Sequence, residues 1–253
     1  MVRPRELGRP MEAMSPPDRA MLGMILPAGV ESEECFGEAP GGVPFPAEEE
    51  IIAHAVAARR REYAAVRSCA RACLGRLGYA RVPILPGVGG APTWPAGVQG
   101  SMTHCAGYAA AAVGLLPRFS AIGIDAEPDA PLPEGVLDLV ATPAEQARLA
   151  VTQLEPDSPN WDRLLFGAKE AVYKSWFPLV GEWLDHQEAE ILFDPQDGTF
   201  AALLSRDGPQ DGTFAALLSR DGLIVDGRQI RRLHGRWIRK RGILVTAVVL
   251  GSA

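Results

Sequence analysis

One strand-like stretch, IGIDAE, limits the folds open to this chain more than any other feature. Successive side chains of a strand point to opposite faces. Ile122, Ile124 and Ala126 therefore share one face, and Asp125 and Glu127 share the other. The first face is apolar and is expected to be buried, whereas the second places two negative charges side by side. Their repulsion would raise a carboxyl pKa unless a cation lay between them.

Two interpretations of this acidic face are open. A pair of acids two residues apart is most often a solvated sheet face, and the sequence of this strand alone does not exclude that. The alternative is a site for a hard cation, because Mg²⁺ favours one or two protein carboxylates completed by water and phosphate oxygens. The rest of the chain decides between them.

Composition excludes several classes of protein. The 253 residues, 47% of them hydrophobic, are enough for a sizeable core in one large domain or two small ones. A net charge of −6 argues against a dedicated nucleic-acid binder. No apolar run is long enough to span a bilayer, and no secretory signal is recognisable. The four cysteines lack metal spacing, so we expect reduced thiols in a cytoplasmic protein.

The periodicity predicts a mixed order of helices and strands. A long helix is expected over 47–78, acidic at its start and closed by Gly75 or Gly78. Thr142 and Pro143 are typical of an N-cap and first helical position. The predicted helices are 47–78, 142–150 and 160–177, the last ended by Pro178, and the predicted strands are 100–116, 119–127, 188–193, 199–205, 235–240 and 243–250.

Two segments stand apart from this pattern. Residues 1–20 lack apolar periodicity and are expected to be a flexible extension. The fourteen residues PQDGTFAALLSRDG occur at 195–208 and again at 209–222. Two short copies do not make a repeat architecture. We expect one copy to continue a sheet and the other to extend a hairpin or form a loop.

The predicted helix FGAKEAVYKSWF concentrates charge beside an apolar stripe at helical spacing. Two of only three lysines in the chain, Lys169 and Lys174, lie here with Glu170. Glu170 and Lys174 are four residues apart, which is also the spacing of an ordinary surface ion pair. A lysine, however, suits phosphate as a mobile point charge. The stripe consists of Leu165, Ala168, Val172 and Trp176.

A third motif, GSMTH, adds hydroxyl and imidazole groups. It contains Ser101, Thr103 and His104 on a predicted strand, where a lone histidine is more often a core residue than a ligand. Three carboxylates, two lysines, this strand and an arginine-rich helix together point to a magnesium-bound diphosphate. No GxxxxGK[ST] motif is present, so a P-loop does not hold the phosphates.

In this order and spacing, GSMTH, IGIDAE and FGAKEAVYK resemble the signature motifs of the surfactin-type (Sfp-type) 4′-phosphopantetheinyl transferases. The wider pattern is similar to the branch that includes the enterobactin synthase component, and it covers about residues 21–253. The resemblance implies an α+β fold of two similar halves related by a pseudo-twofold axis, with coenzyme A in the cleft between them. The halves would be 21–120 and 121–253.

The resemblance also implies an activity. The family transfers 4′-phosphopantetheine from coenzyme A to a serine of acyl, peptidyl or aryl carrier proteins and releases adenosine 3′,5′-bisphosphate. Such carriers serve fatty acid, polyketide, nonribosomal peptide and siderophore biosynthesis. Mg²⁺ is the expected ion, with Mn²⁺ as the alternative. We expect a cytoplasmic monomer that binds neither nucleic acid nor membrane.

Residue roles follow from the same resemblance. Glu170, Lys174 and Lys169 match catalytic positions, Glu170 being either a third metal ligand or the base for the carrier serine. The metal ligands would be Asp125, Glu127 and Glu170; the groups that bind coenzyme A would be Arg60, Arg67, Arg71, Thr103, His104, Lys169 and Lys174.

One departure from the family and two rival functions stay open. Relatives often carry a basic residue before the PTWP loop, where this chain has Gly89, Gly90 and Ala91. Coenzyme A then loses one contact, or an arginine of the first helix replaces it. A magnesium-dependent hydrolase of a nucleotide diphosphate bond would use the same acids. A non-catalytic module that binds coenzyme A or carriers would have little need for so many paired charges.

Overall fold

Two antiparallel sheets, one in each half of the sequence, form the framework of the protein. The computed structural model describes residues 20–37, 42–152, 158–204, 223–225, 228–230 and 232–251. Its helices are α1 (Met21–Ile25), α2 (Pro46–Ile51), α3 (Ala57–Arg76), α4 (Val136–Val140), α5 (Pro143–Thr152) and α6 (Trp161–Val180). Its strands are β1 (Glu31–Phe36), β2 (Val98–Cys105), β3 (Tyr108–Leu115), β4 (Phe119–Pro128), β5 (Ala189–Asp194), β6 (Thr199–Leu204), β7 (Leu223–Val225), β8 (Arg228–Ile230), β9 (Arg232–Lys240) and β10 (Ile243–Gly251).

The sheets divide between the two halves of the chain. The first has the order β1-β3-β2, the second β4-β10-β9-β6-β5, and β7 pairs with β8 in a separate hairpin. This mixed α/β architecture confirms the coarse fold class predicted from the sequence. Within the described ranges, no helix combines the length and apolarity needed to cross a bilayer.

Helix α6 lies directly against strand β4, and a glycine makes this possible. A Cβ atom added to Gly123 would lie 2.0 Å from the carbonyl oxygen of Ala171, so no other residue fits at this point without a shift of the helix. The predicted apolar stripe of α6 is buried in the core of this half. On the other face of β4, Ile122, Ile124 and Ala126 are buried as their alternation predicted.

Helix α3 covers the three-stranded sheet through small residues. Ala109 and Ala111 are buried in β3, which confirms that this alanine-rich segment is a strand and not a helix. The single strand predicted over 100–116 is, however, the antiparallel pair β2 and β3. The thiols of Cys69 and Cys73 point at their carbonyl oxygens, at 3.7 and 3.8 Å. Both cysteines are free and buried, in agreement with the reduced thiols expected from the sequence.

Two predicted helix boundaries are wrong. The single helix expected over 47–78 is two helices, α2 and α3, because the chain turns between Ile52 and Val56. The last helix does not end before Pro178 but continues to Val180, and Gly181 closes it in the left-handed conformation (φ 73°). Pro178 lacks the N–H that would bond to the carbonyl of residue 174, and only two helical residues follow it.

The first copy of the duplicated segment supplies β6, between β5 and β9. The prediction that one copy continues the sheet is therefore confirmed for Thr199–Leu204. The second copy, 209–222, and the predicted extension up to residue 19 lie outside the described residues.

Candidate active site

The two sheets meet along strands β2 and β4, each at the edge of its own sheet. Hydroxyl groups join them. Ser101 Oγ accepts a hydrogen bond from the Ile124 N–H at 3.1 Å. Thr103 Oγ1 accepts one from the Ala126 N–H at 3.0 Å and donates to Asp125 Oδ1 at 3.2 Å. Thr103 is buried, so its hydroxyl joins the strands and does not meet a phosphate as predicted.

Asp125 is the most enclosed carboxylate of this seam, at 5% exposure. Its Oδ1 accepts a hydrogen bond from Lys174 Nζ at 2.6 Å, while its Oδ2 is buried without a hydrogen-bond partner among the described residues. A Cβ atom at Gly167 would lie 3.4 Å from that oxygen, so the glycine leaves space there. Burial raises the pKa of Asp125, and the positive charge of Lys174 acts against this rise.

The other two carboxylates each have a partner of their own. Glu127 Oε2 accepts from Arg163 Nη1 at 3.0 Å; burial, and next the charge of Asp125, raise its pKa. Glu170 Oε1 lies 3.1 Å from His186 Nε2. Burial acts to raise the pKa of Glu170, but the His186 hydrogen bond and the charge of Lys174 hold it below its usual value. Glu170 and Lys174, although four residues apart on α6, do not form an ion pair with each other, because Lys174 is paired with Asp125.

The predicted three-carboxylate metal set is not assembled. Over the part of the chain that the structure describes, no three Asp, Glu, His or Cys side chains lie close enough to hold a metal ion. Asp125 and Glu127 still fit one. They are the oxygen donors that a hard cation prefers, one of their oxygens is buried and unpartnered, and Gly167 leaves room beside it. Glu170 is turned towards His186.

Lys169 does not join Lys174 at the seam, which corrects its predicted place on the phosphates. Its Nζ donates to Glu145 Oε2 at 2.7 Å and to the carbonyl oxygen of His186 at 2.6 Å. Both charged side chains of this pair are 1% exposed. Burial lowers the pKa of Lys169. Five residues along a helix turn a side chain by well over a right angle, so the two lysines serve different faces of α6.

Two of the three arginines predicted to bind coenzyme A are also buried. Arg67 Nε donates to the Ile84 carbonyl oxygen at 2.8 Å, and its guanidinium lies 3.1 Å from the centre of the Tyr63 ring. Arg71 Nη1 donates to both oxygens of Glu48, at 2.8 and 3.0 Å. Burial lowers the pKa of Arg67 to about 10. These contacts hold α3 in place, and neither side chain is exposed to a ligand.

A different arginine reaches the predicted histidine. Arg59 Nη1 lies 2.7 Å from His104 Nε2, at the edge of a cavity of about 350 Å³ that His104, Arg61 and Glu62 help to line. Burial, and then Arg59, lower the pKa of His104 against the opposing charge of Glu62. Arg60, which the sequence favoured, is exposed on the same helix. A run of three arginines gives no signal of which one meets the strand, so Arg59 was missed.

Two family models and several known proteins match most of this chain. The 4′-phosphopantetheinyl transferase N-terminal domain model matches residues 47–114, and the 4′-phosphopantetheinyl transferase superfamily model matches residues 121–225. The chain is 44% identical to the 4′-phosphopantetheinyl transferase Svp of Streptomyces mobaraensis, over 92% of this chain and 90% of Svp. It is 42% identical to the 4′-phosphopantetheinyl transferase PptT of Mycobacterium tuberculosis, over 91% and 98%.

A more distant relative covers part of the chain. Enterobactin synthase component D of Escherichia coli O157:H7 is 36% identical over 126 residues, which are 49% of this chain and 58% of that protein. The identity to Svp and PptT extends over nearly the whole length of both chains. The chain therefore belongs to the 4′-phosphopantetheinyl transferase family and is an enzyme of that class.

Proposed function

We propose that the enzyme transfers 4′-phosphopantetheine from coenzyme A to a serine of an acyl, peptidyl or aryl carrier protein, in a Mg²⁺-dependent reaction that releases adenosine 3′,5′-bisphosphate. The observation that carries this is the seam of β2 and β4. Asp125, Lys174 and Glu170 lie at this seam, beside Arg59 and His104 from the first half. The charge of Lys174 acts on His104, which supports one cleft that combines groups for a diphosphate with a carboxylate for a hydroxyl proton.

Asp125 and Glu127 are the residues proposed to hold the Mg²⁺ ion. The bound ion would supply positive charge to the diphosphate oxygens. Support comes from the unpartnered Oδ2 of Asp125 and the space beside Gly167. Because the two acids supply only part of a coordination shell, water and phosphate oxygens complete it.

The chain's own residues account for the transfer step. The serine oxygen forms a bond to the β-phosphorus of coenzyme A as the bond between that phosphorus and the bridging oxygen breaks, and the bisphosphate leaves. Glu170 accepts the serine proton; its separation from the other two acids supports the role of base over that of third ligand. Lys174 neutralises charge on the departing bisphosphate.

Arg59, Arg60 and His104 are proposed to bind the remaining phosphate of coenzyme A. Arg59 already contacts His104 at 2.7 Å, so a phosphate at that point meets a guanidinium and an imidazole together. This contact supports the second alternative for the departure at residues 89–91, in which an arginine of α3 replaces the basic residue that relatives often carry there.

A repeated buried carboxylate supports the pseudo-twofold relation between the halves. Helix α2 begins with Pro-Ala-Glu, and so does α5. In both, the glutamate at the third helical position accepts a hydrogen bond from the N-cap N–H and pairs with a cation on the next long helix. The residues concerned are Glu48 with Arg71, and Glu145 with Lys169.

The same correspondence supports two halves that divide close to the proposed boundary between 21–120 and 121–253, just before β4. Strand β3 belongs to the first sheet and β4 to the second, so the chain changes sheet between Leu115 and Phe119. Because one chain supplies both walls of the cleft, we propose that the enzyme acts as a monomer.

Intact-mass spectrometry of an apo carrier protein tests the function. We expect a gain of one phosphopantetheine when enzyme, coenzyme A and Mg²⁺ are present, and no gain with EDTA. Asp125→Asn keeps the shape of the side chain but removes its charge, so transfer should fall by at least about 100-fold while the melting temperature stays near wild type. Asp138→Asn, the same substitution at an exposed position of α4, is the matched control.

Two outcomes would contradict the proposal. Magnesium-dependent transfer by Asp125→Asn at the wild-type rate would remove the metal assignment. Coenzyme A consumed without any gain in carrier mass, on several carriers, would instead favour a hydrolase that uses water as the acceptor.

A further inference from the structure

His186 lies beside the proposed base and comes from outside the three sequence motifs. It begins a 3₁₀ turn, His186–Glu188, that follows α6. Its Nε2 is 3.1 Å from Glu170 Oε1. Since a carboxylate only accepts hydrogen bonds, Nε2 carries the proton and donates it. The ring is stacked on Phe166, with the centroids 6.0 Å apart and the planes 12° from parallel.

The backbone of His186 is held as firmly as its ring. Lys169 Nζ donates to the His186 carbonyl oxygen at 2.6 Å, and the same ammonium is paired with Glu145. Asp185 caps the turn by accepting from the Gln187 N–H at 2.9 Å. The buried ion pair of the C-terminal half is therefore connected, through one carbonyl, to the residue that contacts Glu170.

We propose that His186 is a positioning residue: it holds the Oε1 atom of Glu170 so that the Oε2 atom faces the carrier serine. This inference rests on the proposed function. A glutamate side chain on a helix surface has several rotamers of similar energy, and fixing one of them costs conformational entropy. A base that is already oriented does not incur that cost in the transfer step.

No group on α6 replaces His186 in this role. Lys174 lies one turn from Glu170, but it donates to Asp125 Oδ1. For Glu170, the only hydrogen bond recorded in the described ranges is the one from His186. Loss of the imidazole donor would therefore leave the Glu170 carboxylate free to rotate.

Two variants separate the hydrogen bond from the packing of the ring. His186→Phe keeps a ring that can stack on Phe166 but removes the donor. His186→Gln restores an N–H donor near the position of Nε2. We expect His186→Phe to lower kcat about tenfold, as is typical for a group that orients a catalytic residue, with KM for coenzyme A and for the carrier unchanged. His186→Gln should recover most of the rate, and both variants should melt near the wild-type temperature.

Each other result is decisive. Wild-type kcat in His186→Phe, or equal loss in His186→Phe and His186→Gln, would overturn the positioning role. A rise in KM for the carrier at unchanged kcat would replace it with a docking role. Wild-type enzyme assayed in parallel separates the two proposals: if it modifies no carrier, the proposed function fails first; if it is active, the variants test His186 alone.

Discussion

Each half of the molecule buries a glutamate with the same hydrogen-bond pattern, but the cations paired with the two glutamates have different further contacts. Glu48 accepts from the Phe45 and Ile84 N–H groups and pairs with Arg71. In the second half, Glu145 accepts from two backbone N–H groups in the same way and pairs with Lys169. The arginine of the first half spends its contacts inside that half, whereas Lys169 also holds the His186 carbonyl oxygen.

The two halves also differ in the partner of the histidine that each contributes to the proposed site. The first half offers a histidine beside a guanidinium, His104 with Arg59. The second offers a histidine beside a carboxylate, His186 with Glu170. In the proposed function, the first pair belongs to a cationic wall that binds phosphate, and the second belongs to an acidic wall that takes up a metal ion and a proton. The proposed roles of the two halves therefore differ because their histidines have different partners.

The largest effect, on the free energy of unfolding, is expected from the buried Glu48 of the first half. Glu48→Gln removes the counter-charge of two buried arginines, Arg67 and Arg71. Breaking a buried ion pair from one side costs about 3–5 kcal/mol, so the free energy of unfolding in urea should fall by that amount. Among the described residues, the hydrogen bonds of this cluster go to Phe45, Tyr63 and Ile84 and not to the β2–β4 seam, so kcat of the folded fraction should stay unchanged. Glu49→Gln, exposed one residue further on, is the control and should change neither quantity; a fall in kcat for Glu48→Gln would show that the cluster reaches the site.

Lys169→Met should lower both the free energy of unfolding and kcat, which distinguishes the second half from the first. Loss of the cation leaves Glu145 charged and buried, at a cost of about 3 kcal/mol in unfolding free energy. The His186 carbonyl loses its donor as well, so kcat measured well below the melting temperature should also fall. Urea titration and carrier mass shift give the two readouts. Unchanged stability with a strong loss of kcat would return Lys169 to the phosphate-side role implied by the family motif.

Lys174→Met should lower kcat more than it weakens the binding of coenzyme A. This lysine is 29% exposed and bonds to Asp125 at the seam, where the departing bisphosphate is proposed to lie. We expect kcat to fall about 100-fold, equivalent to about 2.7 kcal/mol in the transition state, with a smaller change in the Kd for coenzyme A. Stopped-flow transfer rates and calorimetric binding measure the two. Lys174→Arg keeps the charge and should retain more activity; an equal loss of binding and turnover would assign the lysine to ground-state binding.

Local patterns predicted the parts of this site that one element determines alone. Alternation in β4 placed Asp125 and Glu127 opposite the isoleucines, and Thr142 with Pro143 marked the start of α5. Both depend on neighbours within a few residues. The fold class and the family followed from motifs of the same local kind.

Long-range pairing explains what the sequence did not predict. Lys169 and Lys174 look equivalent in the motif, but the partner of Lys169 is a glutamate 24 residues earlier in the chain, and the partner of Lys174 is an aspartate 49 residues earlier. Arg60, Arg67 and Arg71 were predicted to bind coenzyme A, yet a single buried Glu48 holds Arg67 and Arg71 in the core. Helical spacing fixes which side chains share a face, not which face meets the core.

The smallest effect concerns the histidine of the cationic wall. The pKa of His104 is lowered in the free enzyme, by burial and then by Arg59. A phosphate bound beside it would raise that pKa, so binding of coenzyme A should take up protons and gain from a fall in pH towards 6. His104→Asn keeps a polar side chain but does not titrate there, which makes it the control for titration of the phosphate itself. Calorimetry in two buffers of different ionisation enthalpy should give a proton uptake that the variant lacks, and a wild-type affinity that rises about threefold relative to the variant between pH 7.5 and 6. Identical pH profiles for the two proteins would place the phosphate away from His104 and leave the first half without its proposed anion site.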